Sequence, residues 1–246
     1  GRHITYSLDA YVISIRDRIV LSSQFNRSNP LIQAILTSNG VDPSVNALQF
    51  WTNAVNTRTQ GVDIVITDKF NWGGGKVTLS IAGSFNENKV VGTIKTNSVI
   101  DDPVNNPGLT DASKNPANDL SNALFDRQQR SRLELAQPRS KINLQLGYEI
   151  GKWSVMVRSV RFGSIVILNN ADPNAINVST GTYWNDAAPE TDQTFSAKWT
   201  TDLVLTYRFN KTVSVSAGAA NLFDVYPDRI FIDSRNDPNT YYNAPI

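Results

Sequence analysis

Short and long connections alternate along this chain. Segments of alternating apolar and polar residues are joined by only a few residues between Phe70 and Lys76, Glu149 and Trp153, and Phe209 and Val213. The stretches Ser22 to Ala47, Asn86 to Ser131, Gly163 to Ala197 and Asp224 onward are roughly ten times longer. Successive connections of an antiparallel meander fall at opposite ends of its sheet, so this rhythm collects every long connection at one end. A soluble sheet has no physical reason to be segregated in this way.

The segments between the connections read as strands. Val77, Leu79, Ile81 and Phe85 share one phase, opposite Thr78, Ser80, Ala82, Ser84 and Asn86. Ile142, Leu144, Leu146 and Tyr148 oppose Asn143, Gln145, Gly147 and Glu149, and Leu203, Leu205, Tyr207 and Phe209 oppose Asp202, Thr206 and Arg208. Val213, Val215, Ala217 and Ala219 alternate with small residues that suit a solvated lumen or a tightly packed neighbour. Further strands are expected over Thr5 to Leu21, Leu48 to Phe70, and Trp153 to Leu168, the last with a bulge near Ser159 where alternation slips. The expectation is all-β, with about seven long meandering strands and no convincing amphipathic helix. Several strands are longer than the ~10 residues needed to cross a bilayer.

Phe70 and Trp72, Tyr148 and Trp153, and Tyr207 and Phe209 stand at strand ends beside the three short connections. Aromatic residues at one rim, tight turns beneath them and long loops at the other end are the pattern of an antiparallel transmembrane β-barrel with short periplasmic turns and long extracellular loops. A soluble or adhesive β-sandwich that binds carbohydrate through loops at one end is the alternative on an aqueous side, and a passive porin the alternative in a membrane. No run of 18 apolar residues occurs, which excludes a transmembrane helix and leaves a barrel open. Gly1 to Leu8 lacks the cationic start and apolar run of an export signal.

Composition narrows the partners. Lys and Arg number 23 against 22 acids, a formal charge of +1 that provides no field for nucleic acid. There is no cysteine and a single histidine, His3, so disulfides, zinc-thiolate centres, thiol nucleophiles and Ser-His triads lack members. Neither catalysis nor a resident metal or cofactor is expected. Gly73 to Gly75 is followed by no helix or Lys-Ser pair and reads as a tight turn rather than a phosphate loop. Asp101 with Asp102, and Asp186 with Glu190 and Asp192, read as solvated loop acids before they read as calcium ligands.

Two stretches then stand out, Phe50 to Asp63 (FWTNAVNTRTQGVD) and Ala217 to Asp228 (AGAANLFDVYPD). With Arg132 to Tyr148, which carries Leu133 and Pro138 ahead of an alternating run, they resemble in order and spacing the signature strands of the β-barrel of TonB-dependent outer-membrane receptors. The resemblance runs over nearly the whole chain. It implies a closed barrel of about 22 strands with a plug inside, a short segment before the plug that engages the TonB-type energy-transducing complex, and a Gram-negative outer membrane around it. Residues 1–246 are thus expected to form one partial barrel domain, lacking the N-terminal plug and the final closing strand. The function implied is energy-coupled uptake of a small nutrient such as an iron chelate, cobalamin or a glycan.

Within these stretches Gly61 is expected to mark a bulge or a close approach, while Asn53, Asn56, Thr57, Arg58 and Thr59 would project into the lumen. Asn221 and Asp224 would bond nearby backbone, with Pro227 ending the ladder. Ligand contacts are expected on the long loops, where Trp51, Arg127, Arg130, Arg132, Tyr183 and Trp184 offer cations for carboxylates or phosphates and rings for stacking.

Overall fold

A computed structural model describes residues 2–27, 30–95, 124–168 and 193–228. In chain order the elements are β1 (His3–Leu21), β2 (Phe25–Asn26), α1 (Pro30–Ser38), β3 (Ala47–Leu48), β4 (Trp51–Trp72), β5 (Gly75–Val91), α2 (Arg127–Glu134), β6 (Ser140–Ile150), β7 (Trp153–Phe162), β8 (Ile165–Ile167), β9 (Gln193–Phe195), β10 (Lys198–Arg208) and β11 (Ser214–Ala219). The seven long strands form one antiparallel sheet in the order β1-β4-β5-β6-β7-β10-β11, a pure meander. The short pairs β2-β3 and β8-β9 stand apart from it. A single seven-stranded sheet is not a sandwich, and among the described residues β1 and β11 are each paired on one side only.

The tight connections follow from their residues. Gly73 and Gly74 both have positive φ, 57° and 80°, which is the backbone of a two-residue hairpin loop whose twist matches the strands it joins. Gly151 turns the β6-β7 connection at φ 58°. Between β10 and β11 the Asn210 carboxamide oxygen accepts from the amides of Thr212 and Val213, both at 2.8 Å, so a side chain closes the turn.

Facing residues of an antiparallel pair share a face, so register sorts the side chains. Asp9, Asp63 and Ser84 are aligned across β1, β4 and β5, and the same phase continues through Lys141, Asn143 and Gln145 on β6, Arg158 on β7 and Asp202 on β10. The opposite phase aligns Leu8, Ile64, Leu79 and Ile81 with Leu144, Leu146, Val157, Leu203 and Ala219. One face is therefore polar and the other apolar across all seven strands. Tyr6 is 82% exposed and Leu8 65% on the apolar face, where a soluble sheet would have covered them.

Below, the apolar face ends in a belt of rings. Trp72 lies 6.1 Å from Tyr148, Trp153 4.6 Å from Tyr207, and Tyr207 4.8 Å edge-on to Phe209. The Tyr148 hydroxyl donates to the Trp72 carbonyl oxygen at 3.2 Å, tying the belt to the first turn. The expected belt beside the tight turns is thus present.

The compact apolar core lies at the other end. Val20, Phe25, Ile32, Leu36, Ala54, Val55, Leu124 and Phe125 are all buried and form one cluster. Phe25 stacks on Phe50 at 5.5 Å, and Arg27 holds the carbonyl oxygens of Val41, Asp42 and Val45. Both helices belong to this loop layer. Sequence periodicity did not reveal them because each is short and α1 is apolar around much of its circumference.

Several expected boundaries move. The ladders of β7 run without a shift from Trp153 to Phe162 on both sides, so Ser159 marks no bulge. Its hydroxyl instead meets that of Thr201 across the strand at 3.0 Å, and that bond lets a polar residue stand in an apolar phase without breaking register. The strand stops before Leu168 because Gly163 sits against Ser140, and Ile165–Ile167 pairs with β9 instead. The actual register shifts are on β1, between Ile15 and Val20, where Asp17 has φ 52° and its amide donates to the Asn56 side chain. The stretch Leu48 to Phe70 divides into β3 and β4.

Candidate functional site

Strict alternation corrects the reading that Asn53 through Thr59 project together. Thr57 and Thr59 share the polar face with Asn88, and the Thr59 hydroxyl donates to the Asn88 carboxamide oxygen at 3.0 Å. Asn56 and Arg58, one residue out of phase, point the other way. Gly61 is a close approach and not a bulge. A Cβ there would lie 2.5 Å from the Tyr11 ring and 2.9 Å from the Phe85 carbonyl oxygen, while its pairing to Tyr11 and Asn86 is regular.

The polar face carries a cleft of about 610 Å³ lined by Lys141, Asn143, Arg158, Asp202, Asn221 and Tyr226, among others. Arg158 donates through Nε to Asp202 Oδ2 at 2.9 Å, and Asp202 Oδ1 accepts the amide of Asn221 at 2.9 Å. Lys141 places its ammonium 5.0 Å from the centre of the Phe162 ring, and the Asn143 carboxamide oxygen is enclosed without a hydrogen-bond partner among the described residues. The cleft thus sets an ammonium, a guanidinium paired with a carboxylate, and two carboxamides around one space.

One wall of this cleft is built by Asn221 to Asp228. Asn221, at φ 48°, exchanges hydrogen bonds with Val225, its side-chain amide donating to the Val225 carbonyl and its side-chain oxygen accepting the Val225 amide, each at 3.0 Å. Leu222 donates its amide to the Thr201 carbonyl at 2.7 Å. Asp228 then accepts from the backbone and hydroxyl of Ser196 and from Lys198. Partial burial would raise its pKa, but the Lys198 and Ser196 hydrogen bonds outweigh that and hold the carboxyl down at about 2. The expected backbone capping by Asn221 is present, and Asp224 contributes its amide and a φ of 53°.

The loop candidates are less concentrated. Trp51 opens β4 and is 70% exposed. Arg127, Arg130 and Arg132 all stand on α2, with Arg130 and Arg132 exposed. That helix is capped by Asp126, whose carboxylate accepts the Gln129 amide at 2.6 Å, and is fastened to β5 where Asn88 donates to the Leu133 carbonyl and Glu134 accepts the Val90 amide. Tyr183 and Trp184 lie outside the described residues, as do Asp101, Asp102, Asp186, Glu190 and Asp192. His3 is exposed at the start of the edge strand, and no group of three or more potential metal ligands gathers among the described residues. The polar cleft was not anticipated as a unit. Its signal was the charged phase of β6, β7 and β10, which only register brings together.

A two-faced meander with one aromatic rim, one looped rim and two open edges is a segment of an antiparallel transmembrane β-barrel. The chain belongs to the TonB dependent receptor-like β-barrel family, whose model matches residues 1–222. Among solved structures, the outer membrane transporter YddB from Escherichia coli aligns at 10% identity and TM-score 0.53, over 91% of this chain and 27% of that one. The ferripyoverdine receptor of the outer membrane of Pseudomonas aeruginosa aligns at 13% identity and TM-score 0.48, over 93% and 22%. The copper transporter OprC aligns at 17% identity and TM-score 0.48, over 92% and 24%. The likeness is one of fold, and this chain spans about a quarter of each of those chains. No curated protein matches the sequence.

Proposed function

We propose that this segment forms part of the wall and outward loops of an energy-coupled receptor in the outer membrane of a Gram-negative bacterium. The observation that carries the reading is the antiparallel register of seven strands, shifted only near the loop end of β1, with polar side chains on one face and exposed apolar ones on the other, ending at an aromatic belt beside the tight turns. Family membership directs it toward a receptor rather than a passive porin. In this reading the apolar face meets lipid, the polar face lines a lumen filled by a plug from the preceding part of the protein, and the plug couples to a TonB-type complex. The ordered loop layer receives a small nutrient. Trp51, Arg127, Arg130 and Arg132 suit one bearing carboxylate or phosphate groups together with a flat face, as an iron chelate does.

The test is uptake by cells expressing the full-length protein. Accumulation of the nutrient that supports their growth is expected to cease when the inner-membrane energy-transducing complex is deleted. Undiminished accumulation without that complex would remove energy coupling. Recovery of the full-length protein in the aqueous fraction without detergent would remove the membrane reading altogether.

A further inference from the structure

Loops that only connect strands have no core of their own and stay mobile. Here the connection from β1 to β4 and the connection from β5 to β6 share one. Its eight buried apolar residues come from β1, β2, α1, β4 and the two residues Leu124 and Phe125 ahead of α2. The core also has a side. Register sets Thr57 opposite Val90 and, one step along, Arg58 opposite Lys89. Val55 and Thr57 are 0% and 1% exposed and Val90 packs against the cluster, whereas Arg58 and Lys89 on the other phase are exposed. Asn88, in phase with Val90, donates to the Leu133 carbonyl of α2 at 2.9 Å. At the level of Thr57 the two loops therefore lie on the polar face of the sheet and lean inward.

Two adjacent serines fasten one loop to the other. Ser22 exchanges hydrogen bonds with Phe50, its amide donating to the Phe50 carbonyl at 2.8 Å and its hydroxyl accepting the Phe50 amide at 3.0 Å. Ser23 does the same toward the second loop, its amide donating to the Leu124 carbonyl at 2.9 Å and its hydroxyl accepting the Asp126 amide at 2.8 Å. Ser22, Ser23 and Asp126 are all buried, so water is a poor substitute for these partners. Asp126 is in turn the N-cap of α2, and Glu134 at the other end of that helix holds the Val90 amide. Gln129 and Ser131 are buried, and Arg130 and Arg132 between and beyond them are exposed.

We infer that these two loops are one preassembled body, clasped by Ser22 and Ser23, which fixes Arg130 and Arg132 over the polar face before any ligand arrives. A receiving surface built in advance pays no ordering cost on binding, and its cations keep one spacing. The use of that surface rests on the proposed receptor reading; the existence of the body does not.

The test is made on the full-length protein in lipid vesicles with no ligand added, any cysteine elsewhere in it replaced by serine. Spin labels are attached through Ala34→Cys on α1 and Arg130→Cys on α2, both exposed positions, and through Lys152→Cys with Lys211→Cys as a reference pair at the tight turns. A single narrow distance distribution is expected between α1 and α2. Ser22→Ala combined with Ser23→Ala should broaden it and speed hydrogen exchange at the Gln129 amide about tenfold, while the reference distance stays as it was. A broad or split α1-α2 distribution in the parent would overturn the inference, and that measurement stands even where the serine variant fails to insert. An unchanged distribution and unchanged exchange in an inserted serine variant would overturn the clasp. Recovery of the full-length protein in water without detergent would instead overturn the membrane reading, leaving the loop distances to be measured as before.

Discussion

Gly61 shows how one residue holds three strands in register. Its missing side chain makes room for the Tyr11 ring on one neighbour and for the Phe85 carbonyl on the other, and the carbonyl cannot rotate away. Gly61→Val is expected to destabilise the barrel by about 1–3 kcal/mol, as overpacking does, measured by denaturant unfolding of the refolded full-length protein in lipid vesicles. Asp228 acts on a different link, between chain reversal and charge. Its carboxyl is held at about 2, below its unfolded value of 3.8, so its stabilising contribution is complete above pH 4 and is lost as the pH falls through about 2. Asp228→Asn should therefore speed hydrogen exchange at the Ser196 amide at neutral pH, and the difference between variant and parent should shrink as the pH falls from 4 toward 2.

Among the elements, α2 depends most on side chains for its place. Beyond Phe85, β5 loses its β6 partner, and the open edge is closed by the Glu134 carboxylate on the Val90 amide at 2.8 Å. Glu134→Ala removes that acceptor and should cost about 1–3 kcal/mol if the amide stays dry. The expected readout is faster protease cleavage around Arg127–Glu134 with the cleavage resistance of β6 and β7 unchanged. Helix α2 also explains why loop arginines were legible as residue types and not as an arrangement. Arg127, Arg130 and Arg132 were visible in the sequence as cations, but their common element was not, because eight residues strongly weighted to Arg and Gln carry almost no apolar stripe. The two helices owe their existence to the tertiary cluster around Phe25, Leu36 and Phe125 more than to their own periodicity.

The whole molecule is organised by which face meets which medium, and that assignment can be tested in one strand. Leu146 and Gln145 are neighbours on β6 with opposite orientations, Leu146 aligned with Leu79 and Val157, Gln145 with Ser80 and Arg158. Leu146→Arg should cost about 2–4 kcal/mol in lipid vesicles, the depth-dependent cost of a cation on a lipid face, whereas Gln145→Arg should be tolerated with much less loss. Equal effects would show that the two faces do not meet different solvents.

The sequence by itself determined the strand count of the main sheet, its meander order, the end at which the loops gather, and the aromatic belt. These are local or nearest-neighbour properties: period-two alternation, glycine and asparagine turns, and connection length. Family membership was legible for the same reason, since its signature stretches at Phe50–Asp63 and Ala217–Asp228 are continuous in the chain. Only the tertiary structure decided that Arg58 leaves the lumen and faces Lys89, that Ser159 keeps its register through Thr201, and that Lys141, Arg158 and Asp202 share a cleft. Each of those facts depends on which residue of one strand stands beside which residue of another. A shift of one position would turn every side chain to the other face, and that register is set by cross-strand contacts that no single stretch of chain contains.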